Sequence, residues 1–295
     1  MIIINFTSGL GNQMFQYFFG EAISLKYRQQ KIKYLNSLLP PHQIKIWDIF
    51  NIDIDMIERD KVPIFNNLIK KNKFIFVNLI KLIIKFNFNK NFHILSDNDF
   101  KNKLNILDDN KYNYFFYGYW QNINYFFNNF ENIKRNISFK KSLNLRRLDK
   151  NFREFDNFIG VHIRGGDYLK NKNKKIFFEV DSEYYLKNID YLNQKLNDPL
   201  FIFFTDDINY LKKILPKIKV NHRFIRDLSD NRNDDFQYLS LCDHFIIPNS
   251  SFSLWASYLS DTNKNKITIM PDNWFNKSYA NKYKTKDYFD ITMHK

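Results

Sequence analysis

The chain has 295 residues, 44% of them hydrophobic, and carries 45 Lys and Arg against 31 Asp and Glu, a formal charge of +14. That length and apolar content suffice for two α/β domains or one large one, and they exclude a disordered chain. The single cysteine, Cys242, excludes an intrachain disulfide and a cysteine metal cluster and suits a reducing compartment.

Phe and Tyr are abundant, but so are Ile, Asn and Lys, the pattern of an AT-rich coding sequence. Most of the rings therefore need no sugar-binding explanation. A cationic surface serves nucleic acid, anionic lipid or a polyanionic substrate. Here most lysines are scattered among Asn and Phe rather than gathered in a stripe. The most basic stretch, Lys70–Lys90, is interleaved with Ile, Leu and Phe. It reads as a packed helix with a Lys-rich solvent face or as an amphipathic helix resting on a membrane. The N-terminus lacks the basic and apolar regions of a signal peptide. No apolar run reaches the roughly 18 residues of a membrane span. The expected location is the cytoplasm, at most peripheral to the inner face of the membrane.

In chain order, Ile2–Phe6 is an apolar run fit for a buried strand. The turn Thr7-Ser8-Gly9-Leu10-Gly11-Asn12-Gln13 follows. A helix then begins, with Met14, Phe18, Ala22 and Leu25 on one face. From Lys31 to Asn151 the patterns are helical with little alternation, except that Phe115–Trp120 reads as a buried strand ending in an aromatic turn. From Asn157 the order becomes regular. Strands are expected at Phe158–Ile163, Leu200–Phe204, Arg223–Ile225, Phe245–Ile247 and Ile267–Met270. Helices are expected at Ser182–Leu196, Asp206–Ile214, Asp234–Cys242 and Phe252–Leu259. Such alternation means a parallel, doubly wound sheet, which binds ligands outside the carboxyl ends of its strands.

Clusters of chemistry-bearing residues sit at those ends. His162-Ile163-Arg164-Gly165-Gly166-Asp167-Tyr168 delivers an Arg fork, suited to a phosphate, into a glycine turn. In Thr205-Asp206-Asp207, Asp206 either hydrogen-bonds a ribose or base or caps the next helix. Asp234 and Asp235 open a helix, where the helix dipole alone accounts for acids. Pro248-Asn249-Ser250-Ser251-Phe252-Ser253 offers hydroxyls at a helix start, as an anion site, an N-cap or both. Cations and N–H groups for phosphates, with carboxylates for ribose or base, suit a nucleoside diphosphate.

These residues resemble glycosyltransferase family 11, the α-1,2-fucosyltransferases. Ser8-Gly9-Leu10-Gly11-Asn12-Gln13-Met14-Phe15-Gln16 is similar to the family's N-terminal signature and Tyr117-Gly118-Tyr119-Trp120-Gln121 to its central motif. His162–Tyr168 is similar to its His-x-Arg-Arg-Gly-Asp-Tyr, and Phe203–Asp207, Asp234–Cys242 and Asn249–Trp255 to further motifs in the same order. The resemblance runs from about residue 2 to 275 and is weakest between about 31 and 110. It implies an α/β, GT-B-like enzyme with two Rossmann-type domains facing a central cleft. The expected division is an acceptor-side domain at 1–153, a GDP-sugar-binding domain at 154–275, and a tail at 276–295 that packs back on the first. The implied reaction is inverting, metal-free transfer of fucose from GDP-fucose, a substrate rather than a cofactor, to a galactose-containing and lipid-linked glycan. By the same resemblance Arg164 grips the diphosphate and His162 sits at the nucleotide. Asp235 accepts from the guanine edge, Ser250 and Ser251 reach the phosphates, and Asp206, Phe252 and Ser253 are further donor-binding residues. Gly9, Gly11, Asn12, Gln13 and Trp120 line the donor and acceptor cleft. Three positions depart from the family pattern. Gly165 replaces its second Arg, Ser8 a usual Gly, and Leu254 the first of two tryptophans.

Fucosyl transfer passes through an oxocarbenium-like state, with negative charge growing on the departing phosphate. Arg164 and the 250–253 helix start are the expected stabilisers. Asp167 is the first candidate for the base that takes the acceptor proton, with Glu179 and Asp181 as alternatives. Asp167 equally suits a role in holding its own turn. Asp53-Ile54-Asp55 and Asp97-Asn98-Asp99 have metal-binding spacing, but they lie outside the alternating region in a chain rich in Asp and Asn, and no metal is expected at them. Two other readings stand beside this one. One is the same chemistry with another GDP-6-deoxyhexose or acceptor sugar. The other, a nucleic-acid-binding protein, rests on net charge alone.

Overall fold

The computed structural model describes residues 1–27, 31–37, 44–57, 92–97, 113–164, 176–178, 180–205, 207–262 and 264–276. The Lys70–Lys90 stretch and the tail from 277 onward lie outside these residues. The chain divides into two compact units, Met1–Ser138 and Phe139–Lys295. This division lies upstream of the boundary at 153 read from the sequence, because the intervening segment is tied to the second unit. The Arg146 guanidinium lies 4.7 Å over the Phe158 ring and donates to the Phe152 and Phe155 carbonyls at 3.1 Å. Gln237 Nε2 donates to the Lys141 carbonyl at 2.7 Å.

The first unit opens with β1 (Ile2–Phe6), whose side chains are all buried, as a central strand covered on both faces requires. Helix α1 (Leu10–Lys26), β2 (Ile32–Asn36), α2 (Ile46–Ile49), β3 (Met56–Ile57), β4 (Phe92–Ser96) and β5 (Asn113–Tyr117) follow. The sheet is parallel in the order β3-β2-β1-β5-β4, with Ile2 opposite Ile32 on one side and Tyr114 on the other. Three of these strands fall in the region that the sequence left without regular alternation. Helix α1 starts at Leu10, where a turn running to Gln13 was expected. Ser8, at φ 70°, makes the turn by itself, so Gly9 becomes the N-cap and Leu10–Gln13 the first helical turn. The helix is also buried nearly all round rather than along one stripe. Phe19 stacks on Trp120 with centroids 4.0 Å apart, and Phe18 meets Phe126 at 5.6 Å and Phe130, the first residue of α3 (Phe130–Arg135), at 5.4 Å.

In the second unit the expected alternation is present, with ends shifted by a residue or two as is usual. It comprises β6 (Asn157–Ile163), α4 (Ser182–Lys195), β7 (Pro199–Thr205), α5 (Ile208–Ile214), β8 (His222–Phe224), α6 (Asp235–Ser240), β9 (His244–Ile246), α7 (Ser251–Leu259) and β10 (Thr268–Ile269). All strand pairs are parallel, in the doubly wound order β8-β7-β6-β9-β10. β6 and β7 pair from Asn157–Pro199 to Ile163–Thr205. Ile159, Val161, Ile163, Phe201 and Phe203 from these strands are fully buried, each contributing about 1.5–3 kcal/mol of burial free energy. Helix α6 crosses β6 at Gly160, where a Cβ would lie 2.5 Å from Leu239 Cδ1 and 3.2 Å from Cys242 Sγ. Glycine there lets the helix seat directly on the strand. Among the described residues no helix is long and apolar enough to cross a membrane.

Candidate active site

In a doubly wound sheet the crossovers leave the central pair of strands in opposite directions and open a crevice at their carboxyl ends. In the second unit that point lies between β6 and β9, which pair from Ile159–His244 to Val161–Ile246. β6 runs out through His162 and Arg164, and β9 runs through Ile247 and Pro248 into α7. The first and last sequence clusters therefore meet at one place.

His162 is 4% exposed, and among the described residues its buried Nδ1 has no hydrogen-bond partner. Burial first, and then the Arg164 guanidinium, pull its pKa down to about 3. The ring is thus a neutral imidazole with one donor and one acceptor nitrogen. A buried nitrogen left unbonded costs about 1–3 kcal/mol and is retained where a function uses it. The ring lies 5.6 Å from that of Phe252 in the first turn of α7. Ser250 is the N-cap of α7, yet its hydroxyl makes no cap hydrogen bond. A helix start whose N-cap side chain makes no cap bond is suited to an anion. Ser251 stands in that turn. Ser253, one position beyond Phe252, is turned inward. It is fully buried, and its Oγ donates to the Ser250 carbonyl at 3.3 Å.

Two residues without a sequence-assigned role hold this rim. Asn249 Nδ2 donates to the Phe178 and Trp274 carbonyls at 2.9 and 2.7 Å. The Tyr184 hydroxyl, on α4, donates to the Ile247 and Ile269 carbonyls at 2.7 and 3.1 Å, and burial raises its pKa. Asn249 lay inside the Asn-Ser-Ser run, whereas Tyr184 gave no signal in the sequence.

The acids separate into roles. Asp235 opens α6 and is ion-paired through Oδ1 with Arg226 Nη2. Asp207 accepts from Tyr210 N at 3.0 Å and takes the capping role considered for its neighbour Asp206. Asp181 is the N-cap of α4, accepting from Tyr184 N at 2.9 Å, which accounts for it structurally. Asp206, Glu179 and the turn Gly165-Gly166-Asp167-Tyr168 lie outside the described residues.

In the first unit the corresponding crevice lies between β1 and β5, and there the Ser8–Gln16 and Tyr117–Gln121 motifs meet. The Gln16 side chain accepts from Thr7 N at 3.0 Å and donates to the Gly118 carbonyl at 2.8 Å, joining the two strand ends. Gln121 Nε2 donates to Asn12 Oδ1 at 2.6 Å, and Asn12 Nδ2 donates to Ser8 Oγ at 3.0 Å. Asn12 is half-buried, Gly11 is buried, and a Cβ on Gly9 would meet nothing within 4 Å. Two residues expected to line a cleft are structural instead. Gln13 is fully buried with its amide fully used, by the Ser8 and Ile44 carbonyls and Ile46 N. Trp120 is fully buried against Phe19, at φ 54°, because Asp97 grips the backbone N–H of Tyr119 and Trp120 at 3.0–3.1 Å. That contact gives Asp97 a role in the turn, and Asp55 is ion-paired with Lys33 and Lys31 at 2.9 and 3.2 Å.

The profile of Glycosyl transferase family 11 matches residues 1–291. An α-1,2-colitosyltransferase of Escherichia coli is 31% identical over 294 residues, 96% of this chain and 95% of its own. A galactoside 2-α-L-fucosyltransferase, Sec1 of Mus musculus, is 30% identical over 118 residues, 39% of this chain and 32% of its own. Among solved structures, POFUT1 in complex with GDP shares the fold, with a TM-score of 0.50 at 11% identity, over 91% of this chain and 98% of that one.

Proposed function

The chain belongs to glycosyltransferase family 11, with an α/β fold of the GT-B kind. From that premise we propose that it transfers fucose, with inversion and without a metal, from GDP-fucose to the 2-hydroxyl of a galactose-like residue in a cell-surface glycan of O-antigen or capsule type. The observation that carries the reading is the crevice at the ends of β6 and β9. Neutral His162, Arg164 beside it and the α7 start, where the Ser250 hydroxyl makes no cap bond, support a nucleoside-diphosphate reading of it.

In the proposed step the bond from the anomeric carbon to the β-phosphate oxygen breaks and a bond to the acceptor oxygen forms. The hydroxyl proton passes to a carboxylate, for which Asp167 is the candidate, and GDP leaves. Charge grows on the departing phosphate, so fixed donors aimed at it lower the barrier most. Arg164 and the amides at Ser251 and Phe252 supply them in this reading, and Asn12 and Gly9 belong to the acceptor side. The acceptor is lipid-linked, and the enzyme works at the cytoplasmic face of the membrane, where the charge of +14 favours anionic lipid. A basic nucleic-acid binder has only that charge in its favour.

A second reading, another GDP-6-deoxyhexose as donor, is favoured by a specific observation. The relative matched over 96% of the chain is named a colitosyltransferase, not a fucosyltransferase. The test is GDP release from a panel of GDP-6-deoxyhexoses with lactose as acceptor, in EDTA, for wild type and Arg164→Ala. Turnover with GDP-fucose that falls by about 100-fold or more on substitution supports the proposal, the scale of losing one oxyanion-type donor. Turnover only with another donor selects the second reading. Loss of turnover in EDTA that magnesium restores overturns the metal-free mechanism.

A further inference from the structure

Arg226 stands apart from every motif in the sequence, in the single 3-10 turn Ile225–Asp227 that follows β8 at the carboxyl edge of the sheet. Its guanidinium is paired with Asp235, and the two side chains are only 12% and 16% exposed. An ion pair this enclosed gains little stability over apolar packing, although breaking it is costly. What it does supply is orientation. A guanidinium is a rigid planar group, and its Nη2 contact restrains the carboxylate at Oδ1.

Ring contacts join the start of α6, where Asp235 stands, to the nucleotide crevice. Phe236, next to Asp235, meets the Phe252 ring edge-on at 5.1 Å, and Phe252 lies beside His162 at 5.6 Å. The neighbouring acid, Asp234, is committed elsewhere, to Lys141 at 2.6 Å and Asn231 at 2.9 Å. Asp235, held at Oδ1 by Arg226, is therefore the acid at the α6 start left to meet a ligand. A fixed carboxylate matches the guanine edge, whose N1–H and N2–H are side-by-side donors, and mismatches adenine, which places an acceptor at N1.

We propose that Arg226 is a positioning residue for base recognition, holding the Asp235 carboxylate in the one orientation that accepts from guanine, so that the selectivity of the donor site depends on it. This rests on the GDP-sugar reading above. The mechanism is geometric, and it separates Arg226 from a residue that merely keeps the unit folded. Removing Arg226 costs the guanine-specific contact and leaves the phosphate contacts.

The test is binding of GDP and of IDP, which lacks the N2 amino group, and competition by inorganic pyrophosphate. The proteins are the full chain as wild type, Asp235→Asn, Arg226→Met and Arg226→Lys. Wild type is expected to favour GDP over IDP by about 10–100-fold, the scale of one good base contact. Asp235→Asn brings that ratio near one. Arg226→Met lowers it towards the same value with pyrophosphate competition unchanged, and Arg226→Lys recovers part of it. Should Arg226→Met not fold, Arg226→Gln carries the same comparison. Equal weakening of GDP and IDP by Arg226→Met, with the ratio intact, overturns the proposal and leaves the donor reading standing. Failure of the wild-type chain to bind GDP overturns both.

Discussion

Gly160→Ala places a methyl group where α6 closes directly onto β6. The added Cβ would lie 2.5 Å from Leu239 Cδ1, 3.2 Å from Cys242 Sγ and 3.4 Å from Cys242 Cβ. Leu239 and Cys242 are themselves fully buried, so neither side chain can swing away at low cost in a close-packed interior. Overpacking of this kind costs about 1–3 kcal/mol. Alanine is otherwise the better residue inside a strand by about 0.5–1 kcal/mol, which leaves a net loss of about 1–2 kcal/mol. For a unit of this size that corresponds to a melting temperature lower by about 2–8 °C. The strain should move α6, and Asp235 and Phe236 with it, so affinity for GDP should fall alongside stability. Trimming the obstacle should restore both, since contacting residues couple non-additively. In Gly160→Ala/Leu239→Ala the new methyl meets a smaller neighbour, and the double variant should lose less than the two single losses added. Thermal melts of the four proteins with GDP titrations check this. Strictly additive losses, or a Gly160→Ala protein as stable as wild type, would refute the packing argument.

Two further outcomes follow from buried polar and strained groups. His162 has its pKa lowered to about 3, so the unfolded chain binds a proton that the folded chain refuses. The stability tied to this group is complete above the unfolded value and is lost as pH falls through the window from about 6.5 to 3, by up to about 1.4 kcal/mol per pH unit. Urea melts at pH 6.5 and pH 5 should show a smaller acid loss for His162→Gln than for wild type, and an equal loss would contradict a neutral buried imidazole. Ser8 occupies φ 70° and accepts a hydrogen bond from Asn12. Ser8→Ala keeps the backbone strain and loses the bond, whereas Ser8→Gly loses the bond and relieves the strain. In thermal melts Ser8→Gly should therefore be the more stable of the two by about 1 kcal/mol, and the reverse order would show that the turn is unstrained.

The doubly wound half of the molecule was legible because its signals are local. Apolar runs such as Phe158–Ile163 and Leu200–Phe204, spaced by helical patterns, specify parallel strands and crossovers whatever lies around them. The switch-point rule then brings His162, Arg164 and Ser250–Phe252 to one edge without any coordinates. The strands Ile32–Asn36, Met56–Ile57 and Phe92–Ser96 were not legible. Their mixed residues carry no clear period, and only pairing with β1, β2 and β5 makes them strands. Within the site, spacing marked residue types but not their occupations. Gln13 and Trp120 sit in motifs that suit a ligand, and they are used up by Ile44, Ile46, Phe19 and Asp97. Arg226 and Tyr184 carry no local signal at all. Which polar atoms have their bonds made and which wait for a ligand depends on partners distant in sequence, and only folding brings those within the few ångströms at which a hydrogen bond is decided.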